Sequence, residues 1–286
     1  MIPFELVQPR SLRKAAALLD PDDPSIRPIA GGTALMLMMK AGLFRPTKLV
    51  SLRAVEKRFS TIGRSADGRV RIGALTPLAA LERAPAIRRR LPVVADTLRT
   101  LSNVRVRNVA TLGGHLAHAD PHMDLPPVLI ALGAELVVVG PYGERTLPLA
   151  ELYAGYYETV LARDELIAQV LVAPQAPRCA AYLKCTTRSA DDWPALGIAA
   201  AITLDGNALR DVRLVLGAAC ETPRRLAAAE RVLAGAARDD DAALRRAADA
   251  AADEAPVLAD PQGSAPYKKQ LVRVFVQRAI RKALAS

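Results

Sequence analysis

Two pairs of adjacent glycines, each set between apolar segments, place the strongest constraint on how this chain can fold. Gly31-Gly32 follows the short run 26–29 and precedes an apolar run at 35–39. A strand, a glycine turn and a helix start in this order direct free backbone N–H groups toward an anion. Gly113-Gly114 follows about eighty residues later. Two such segments in one domain suggest a ligand with a diphosphate in its middle.

The second glycine pair belongs to the polar segment 111–127, which also holds all three histidines of the chain: His115, His118 and His122. A polar stretch between apolar segments is more typical of a binding site than of a connector. The histidine spacing resembles one face of a helix that could hold a metal ion. Pro121 and the glycines argue against a continuous helix, so we interpret 111–127 as a loop and predict no metal site.

Composition limits the class of protein. With 286 residues and 51% hydrophobic content, the chain can bury a sizeable core in two or three lobes. It has no apolar run of the ~18–20 residues that span a bilayer and no secretory leader, so we expect a cytoplasmic protein. Cys179, Cys185 and Cys220 form no CxxC pair and cannot supply four thiolates to a cluster. Any iron–sulfur chemistry is therefore expected on another chain.

Arginine dominates a net charge of +10 and is concentrated in part at Arg88-Arg89-Arg90. A basic patch can bind nucleic acid, phosphate ligands or an acidic partner. Aromatic residues make up only 4% of the chain, which leaves little for base stacking. We interpret the arginines as a solvated helix face, with docking of a partner as the second reading.

Periodicity and turn signals predict an α+β protein. The first lobe, about 1–55, has strands at 4–7, 26–29 and 48–52, a helix capped by Ser11, and a helix at 35–40 whose residues 35–39 are expected in the core. The second lobe, about 56–175, has a hairpin of 59–63 with 69–73 around Asp67-Gly68, helices from Thr76-Pro77, at 92–101 and from Pro126, and strands at 135–139, 145–149 and 166–172. A linker is expected at 173–177. The C-terminal domain, 176–286, has three antiparallel strands at 180–184, 196–204 and 209–216, then helices at 223–234, 239–254 and 267–285.

Several catalytic motifs are missing from the sequence. Gly31-Gly32 is not followed by the Gly-Lys-Ser of a P-loop, and no G-x-G-x-x-G or G-x-S-x-G occurs. Paired carboxylates such as Asp191-Asp192 are typical of turns and caps. We therefore predict no catalytic acid, base or nucleophile on this chain.

The order A-G-G-T, then T-L-G-G-x-L-A-x-A-D-P-x-x-D-L-P, resembles the FAD-binding medium subunits of the molybdenum hydroxylases, the xanthine dehydrogenase and carbon monoxide dehydrogenase family. The resemblance implies a two-lobed FAD-binding domain of the PCMH, or vanillyl-alcohol-oxidase-like, type. By the same resemblance Asp124 holds a ribose or ribityl hydroxyl. The residues that would wrap the FAD diphosphate are Ala30, Gly31, Gly32, Thr33, Ala34 and Leu35, with Thr111, Gly113, Gly114 and His115 as the second half of the cradle. Ala34 replaces a residue that is commonly Asp, Glu or Ser in the family, and His115 replaces an asparagine.

Two further segments extend the resemblance along the chain. Tyr182-Leu183-Lys184 with Arg188 and Asp191 is similar to a family segment whose lysine lies by the flavin ring, where a cation stabilises reduced anionic flavin. Residues 263–268 are similar to the start of the family's C-terminal helix. Lys184 is therefore added to the candidate FAD-binding residues.

The function implied by the resemblance is that of an FAD-carrying electron-transfer subunit in a heteromeric oxidoreductase. The molybdopterin cofactor would lie on a large partner and two [2Fe-2S] clusters on a small one, with two heterotrimers in the assembly. NAD+ or a quinone would accept the electrons. Two alternatives stay open from the sequence: a self-sufficient FAD oxidoreductase of the same flavin fold, and a non-catalytic basic binding module.

Overall fold

A computed structural model of the chain describes residues 2–174 and 178–286 and has the expected α+β fold. Part of the expected linker, 175–177, lies outside the described residues. The boundary between the FAD-binding domain at 1–175 and the C-terminal domain at 176–286 lies there as well. That division remains a proposal.

The N-terminal lobe is a three-stranded parallel sheet with the strand order β1-β3-β2. Parallel neighbours need crossover connections, which two helices supply. The Ser11 hydroxyl caps the first helix by accepting the Lys14 N–H at 3.2 Å, as the sequence predicts. The elements are β1 (Glu5–Val7), α1 (Leu12–Ala16), β2 (Ile26–Ile29), α2 (Thr33–Lys40) and β3 (Lys48–Ser51).

Helix α2 departs from the sequence-based expectation. Residues 35–39 were expected in the core, yet only Met39 is buried, and Leu37 is 67% exposed. The expectation is wrong because only Met39 packs fully into the protein, while Leu35, Met36 and Met38 are half-buried and Leu37 is exposed. The described residues thus leave one apolar side chain of α2, Leu37, largely uncovered.

The second lobe contains a five-stranded antiparallel sheet with the order β4-β5-β10-β6-β7. Its first hairpin turns at Asp67-Gly68, as predicted, with Gly68 at φ +83°. The predicted strand at 59–63 starts later, at Ile62, because Phe59 is buried in a 3-10 turn. The Phe59 carbonyl accepts the Leu75 N–H at 2.7 Å. Its strands are β4 (Ile62–Arg64), β5 (Val70–Gly73), β6 (Glu135–Gly140), β7 (Gly143–Pro148) and β10 (Leu166–Val172). The strands β8 (Tyr153–Gly155) and β9 (Glu158–Thr159) pair with each other in a separate two-stranded sheet.

Between β5 and β6 the described residues form six α-helices. The largest apolar core lies between these helices and the sheet. The segment 111–127 is not wholly a loop, since residues 112–118 are helical despite their two glycines. The helix ends at Ala119, which has φ 53°, so Pro121 and His122 do fall outside it, as expected. The helices are α3 (Leu78–Arg83), α4 (Pro85–Arg90), α5 (Pro92–Arg99), α6 (Val104–Val109), α7 (Leu112–His118) and α8 (Leu125–Ala131).

The C-terminal sheet has four strands in the described residues, one more than predicted. The addition is β14, where Arg224 and Arg225 pair with Leu216 and Val215 of β13. The helix predicted from 223 therefore begins only at Ala227, after the Leu226 N–H has donated to the Leu214 carbonyl at 2.9 Å. The elements are β11 (Arg178–Cys185), β12 (Leu196–Asp205), β13 (Ala208–Gly217), β14 (Arg224–Arg225), α9 (Ala227–Leu233), α10 (Asp241–Glu254) and α11 (Ala265–Leu284).

The two faces of the C-terminal sheet pack on different partners. Side chains alternate along a strand, so Ile198 and Ile202 of β12 face the helices α9–α11, whereas Ala199 and Ala201 face the second lobe. Tyr182 of β11 belongs to this second set. The sheet thus joins the two domains, and it presents side chains of β11 to the segment that follows α7.

Candidate functional site

The first glycine segment forms an open helix start. Gly32 has φ +74° and is the N-cap of α2, a conformation that favours glycine. The first N–H groups of a helix have no partner within it, and among the described residues no side chain caps α2. Residues 30–35 are half-buried. The N–H groups of Thr33 and Ala34 are therefore free to bind an anion.

The second glycine segment is built differently. The Leu112 N–H donates to the Thr76 carbonyl at 3.0 Å, and the Gly113 N–H donates to the Ala74 carbonyl at 2.6 Å. The Gly114 N–H donates to the Thr111 hydroxyl at 3.2 Å. The sequence suggested free N–H groups at both glycine pairs, and for this pair the suggestion is wrong because the Ala74 carbonyl takes the Gly113 N–H and the Thr111 hydroxyl takes the Gly114 N–H. What faces outward is the exposed Gly114 backbone.

The two glycine segments meet. A Cβ on Gly31 would lie 2.2 Å from the Val109 carbonyl oxygen and 2.9 Å from the Ala110 Cα, just before the second segment. A Cβ on Gly114 would lie 3.7 Å from the Ala30 Cβ. Glycine at position 31 therefore allows two backbones far apart in sequence to touch. Their contact places the start of α2 beside α7, and we refer to the junction between the two as the groove.

His115 adds an unused polar atom to this region. Its Nε2 is buried and has no hydrogen-bond partner among the described residues. Burial, and then the neighbouring His118, lower the pKa of His115 from 6.5 to about 4. The imidazole is therefore neutral at physiological pH, and its Nε2 can form one hydrogen bond with a ligand. Free N–H groups, close backbones and an unpartnered imidazole together fit a nucleotide diphosphate.

The pKa of His115 predicts how stability depends on pH. The unfolded chain binds a proton near pH 6.5 and the folded chain only near pH 4, so this histidine's contribution is complete above pH 6.5 and is lost as the pH falls toward 4. We expect a loss of about 2 kcal/mol, a value reduced for the partial exposure of the residue. Urea unfolding of the wild type and of His115→Asn across this range measures it. Parallel curves for the two proteins would contradict the assignment.

Asp124 and Lys184 form a buried pair between the two domains. Lys184 Nζ donates to Asp124 Oδ2 at 2.9 Å and to the Thr100 carbonyl at 2.8 Å. The side chains are 8% and 6% exposed, for Lys184 and Asp124 respectively. Burial raises the pKa of Asp124, and Lys184 and Tyr182 offset part of that effect. The structure thus brings together two predicted site residues that lie sixty positions apart.

Tyr182 is a member of this site that the sequence analysis quoted without giving it a role. Its hydroxyl donates to Asp124 Oδ1 at 2.7 Å. Gly197 on the neighbouring strand makes room for the ring, since a Cβ there would lie 2.3 Å from the Tyr182 hydroxyl. The spacing held a usable signal: residues two apart on a strand share a face, so Tyr182 and Lys184 had to point the same way.

The histidines do not gather around a metal site. In the described ranges 2–174 and 178–286, no group of three or more His, Cys, Asp or Glu side chains is placed to hold an ion. His115 and His118 lie on α7, and His122 lies beyond Ala119 with its ring between Asp120 and Asp260. Across the same ranges, no helix is long and apolar enough to cross a membrane.

Comparisons with known proteins agree along the whole chain. Residues 2–175 match the FAD binding domain in molybdopterin dehydrogenase, and residues 181–283 match the CO dehydrogenase flavoprotein C-terminal domain. The carbon monoxide dehydrogenase medium chain of Hydrogenophaga pseudoflava is 31% identical over 100% of this chain and 99% of its own length. The xanthine dehydrogenase FAD-binding subunit of Escherichia coli O157:H7 is 26% identical over 96% of each chain.

Solved structures give the same answer for the fold. One match is a chain in the structure of the Hydrogenophaga pseudoflava carbon monoxide dehydrogenase that lacks the Mo-pyranopterin moiety. It superposes with a TM-score of 0.94 and 33% identity, covering 100% of this chain and 99% of that one. The expected PCMH-type flavin fold is therefore confirmed. With both family domains in order along the sequence, the chain belongs to the FAD-binding medium subunits of the molybdenum hydroxylase family, which are parts of oxidoreductase complexes.

Proposed function

We propose that this chain carries one FAD and passes electrons from the iron–sulfur clusters of a small partner subunit to an acceptor such as NAD+ or a quinone. The observation that carries the proposal is the contact between the two glycine segments at the uncapped start of α2. When bound, FAD supplies the redox chemistry, and the protein contributes binding, orientation and electrostatics. The substrate would be oxidised at a molybdopterin centre on a large partner, outside this chain.

For the diphosphate we propose contacts from both sides of the groove. The N–H groups of Gly32, Thr33 and Ala34 lie where the positive end of a helix dipole favours an anion. Ala30, Gly31 and Leu35 complete that side by their backbone and close packing. On the other side, Thr111 can donate its hydroxyl proton, because the oxygen already accepts from Gly114. Gly113 and Gly114 keep α7 close, and His115 Nε2 supplies a further polar contact.

For the flavin end we propose Asp124 and Lys184, with a constraint that the sequence alone did not show. Both Asp124 oxygens are occupied within the chain, so a ribose or ribityl hydroxyl must share one of them, which a carboxylate's remaining lone pairs permit. Lys184 donates to three oxygens, and the longest of these bonds, 3.4 Å to the Asp192 carbonyl, is the one most easily given up. Its charge acts on the flavin even without direct contact.

Purification of the tagged chain from its source cells, with the subunits that accompany it, tests this function. The expected complex contains one FAD per copy of this chain, an iron–sulfur subunit and a molybdopterin subunit. After anaerobic photoreduction, NAD+ or a soluble quinone should reoxidise the flavin. A complex without FAD would refute the proposal. Substrate turnover by the isolated chain would instead favour a self-sufficient FAD oxidoreductase.

We propose that partner subunits assemble with this chain as two heterotrimers, and the exposed face of α2 supports a contact with one of them. Leu37 is 67% exposed and Leu43, just after the helix, is 75% exposed, which is more apolar surface than a solvated helix needs. We propose that a partner subunit covers this face.

A charge placed on α2 should therefore weaken assembly. Leu37→Glu removes about 2 kcal/mol of apolar burial and puts a carboxylate in the contact, so we expect roughly thirtyfold weaker association. Size-exclusion chromatography across a dilution series measures it. Tyr142→Glu, at a hairpin tip where the residue is 98% exposed, is the control. Equal assembly of both variants would remove α2 from the interface.

A further inference from the structure

A series of polar contacts centred on His122 connects the two domains beside the candidate flavin site. His122 Nδ1 lies 3.2 Å from Asp120 Oδ1, and His122 Nε2 lies 3.4 Å from Asp260 Oδ2. The Tyr157 hydroxyl donates to Asp120 Oδ2 at 3.0 Å, and Lys268 Nζ donates to Asp260 Oδ2. We refer to Tyr157, Asp120, His122, Asp260 and Lys268 as the His122 bridge.

The geometry of the bridge defines the charge of its central ring. Each imidazole nitrogen faces a carboxylate oxygen, and a carboxylate only accepts hydrogen bonds, so both nitrogens must donate. An imidazole that donates from both nitrogens is protonated. Lys268 is fully buried, and Asp260 is the carboxylate that pairs with it. Two carboxylates and two cations thus balance across the bridge.

The bridge holds a turn whose backbone is otherwise unfavourable. Ala119, Tyr157 and Ala218 have φ values of 53°, 56° and 65°, in the left-handed region that non-glycine residues rarely adopt. The Tyr157 N–H donates to the Ala119 carbonyl at 3.1 Å, and the Ala218 N–H donates to the Pro121 carbonyl at 3.1 Å. Strained residues persist only where their surroundings over-determine them, and here all three surround the turn 119–123.

This turn leads directly into Asp124, the N-cap of α8 and the partner of Lys184. Because Asp260 and Lys268 belong to the C-terminal domain, the bridge fixes the turn to the domain that supplies Lys184. We propose that His122 and Asp260 are positioning residues of the flavin site, in which a protonated His122 ties the turn to the C-terminal domain and holds Asp124 in place against Lys184. This inference rests on the proposed function, because it assumes that Asp124 and Lys184 serve FAD.

The proposal predicts that FAD binding weakens as pH rises. Burial alone would lower the pKa of His122, but hydrogen bonds and charge from Asp120, and then from Asp260, raise it above the ordinary value. The bridge is therefore intact at low pH and is lost as pH rises through that raised pKa. Among the described residues, the groups that face the ring are Asp120 from its own turn, Asp260 with Lys268 behind it from the C-terminal domain, and the uncharged Trp193 ring. Tyr157 reaches the ring only through Asp120.

Trp193 provides a direct readout of the ring's charge. It stacks on His122 with the ring centroids 5.3 Å apart and the planes at 9°, and it is the one tryptophan of the chain. A protonated imidazole quenches a stacked indole more strongly than a neutral one. In the isolated full chain, tryptophan fluorescence should therefore rise with pH through the pKa of His122, and His122→Gln should abolish that transition.

FAD affinity is measured on the complex as it purifies, from about pH 6 to about pH 9, where histidine titrates. We expect the FAD affinity of the wild type to fall about tenfold as the pH rises, with the same midpoint as the fluorescence transition. His122→Gln should bind FAD weakly at every pH, and Asp260→Asn should move the midpoint to lower pH. Asp249→Asn, in an exposed ion pair with Arg273, is the control and should keep the wild-type profile.

Different results would refute the positioning role of His122 and Asp260 and the proposed FAD-carrying function. A complex that contains no FAD refutes the proposed function. A complex that binds FAD with a flat pH profile, or whose His122→Gln and Asp260→Asn variants keep the wild-type affinity and profile, overturns the positioning role. Far-UV circular dichroism detects a fold defect independently, since a misfolded variant loses its helical signal while Asp249→Asn keeps it. A transition in fluorescence without one in affinity also counts against the inference.

Discussion

Gly31→Ala is expected to abolish FAD binding and to destabilise the chain by about 3 kcal/mol. The added Cβ would lie 2.2 Å from the Val109 carbonyl oxygen, 2.8 Å from its carbon and 2.9 Å from the Ala110 Cα. These are backbone atoms at the end of α6, so no side-chain rotation can relieve the clash. The two glycine segments would have to separate, and the groove between them would open.

Flavin content and urea unfolding of the variant measure this effect. Gly140→Ala is the matched control, because a Cβ there meets only the Glu165 Cγ at an ordinary 3.5 Å. Gly32→Ala is a useful intermediate case: its φ of +74° costs about 1 kcal/mol without forcing the segments apart. A Gly31→Ala protein with wild-type flavin content would show that the contact of the segments is not needed for binding.

Lys184→Met is the second substitution with a large expected effect. It leaves Asp124, 4% exposed, as a buried carboxylate whose remaining partner is the Tyr182 hydroxyl. Breaking a buried ion pair by removing one partner costs about 3–5 kcal/mol, mainly because the other charge is stranded. We therefore expect destabilisation of about 3 kcal/mol and loss of flavin, measured by chemical unfolding and by absorbance of the purified protein.

A double variant tests the cause. Asp124→Asn in the Lys184→Met background removes the stranded charge, so stability should recover by about 1–2 kcal/mol while flavin binding stays impaired. Lys48→Met is the control for losing a lysine, since its pair with Glu5 is exposed and worth at most about 1 kcal/mol. If the double variant is less stable than Lys184→Met, the pair does not act as described.

Local chemistry allowed much of the fold to be predicted. The Ser11 cap, the Asp67-Gly68 turn and the alternating strands of the C-terminal sheet each depend on residues close in sequence. The same local rules failed at 111–118, where glycines argued for a loop. There a capping threonine and a carbonyl acceptor on Ala74 stabilise a helix, and the second of these comes from a distant segment.

The candidate site shows the same division. The glycine pairs and Lys184 were identifiable because each carries a local pattern of residue types. The contact between Gly31 and Val109, the pairing of Asp124 with Lys184, and the link from His122 to Asp260 depend on tertiary packing across sixty to about 140 positions. Nor could the sequence show that the Gly113 N–H is already used, since its acceptor is the carbonyl of the distant Ala74.

The exposure of α2 illustrates a limit of a different kind. Five apolar residues in a row predict burial, and burial within this chain is what the sequence analysis expected. An apolar side chain that the described residues leave open, such as Leu37, fits the partner contact proposed for α2. Sequence patterns report that a surface must be covered but not which chain covers it.

A structure of the complex with its FAD tests the central claim most directly. The account predicts that the diphosphate lies between the two glycine segments, with phosphate oxygens within hydrogen-bonding distance of the Thr33 and Ala34 N–H groups, and that Asp124 and Lys184 lie at the flavin end. FAD bound elsewhere on the chain, or a groove between the segments that stays empty in a flavin-containing complex, would contradict it.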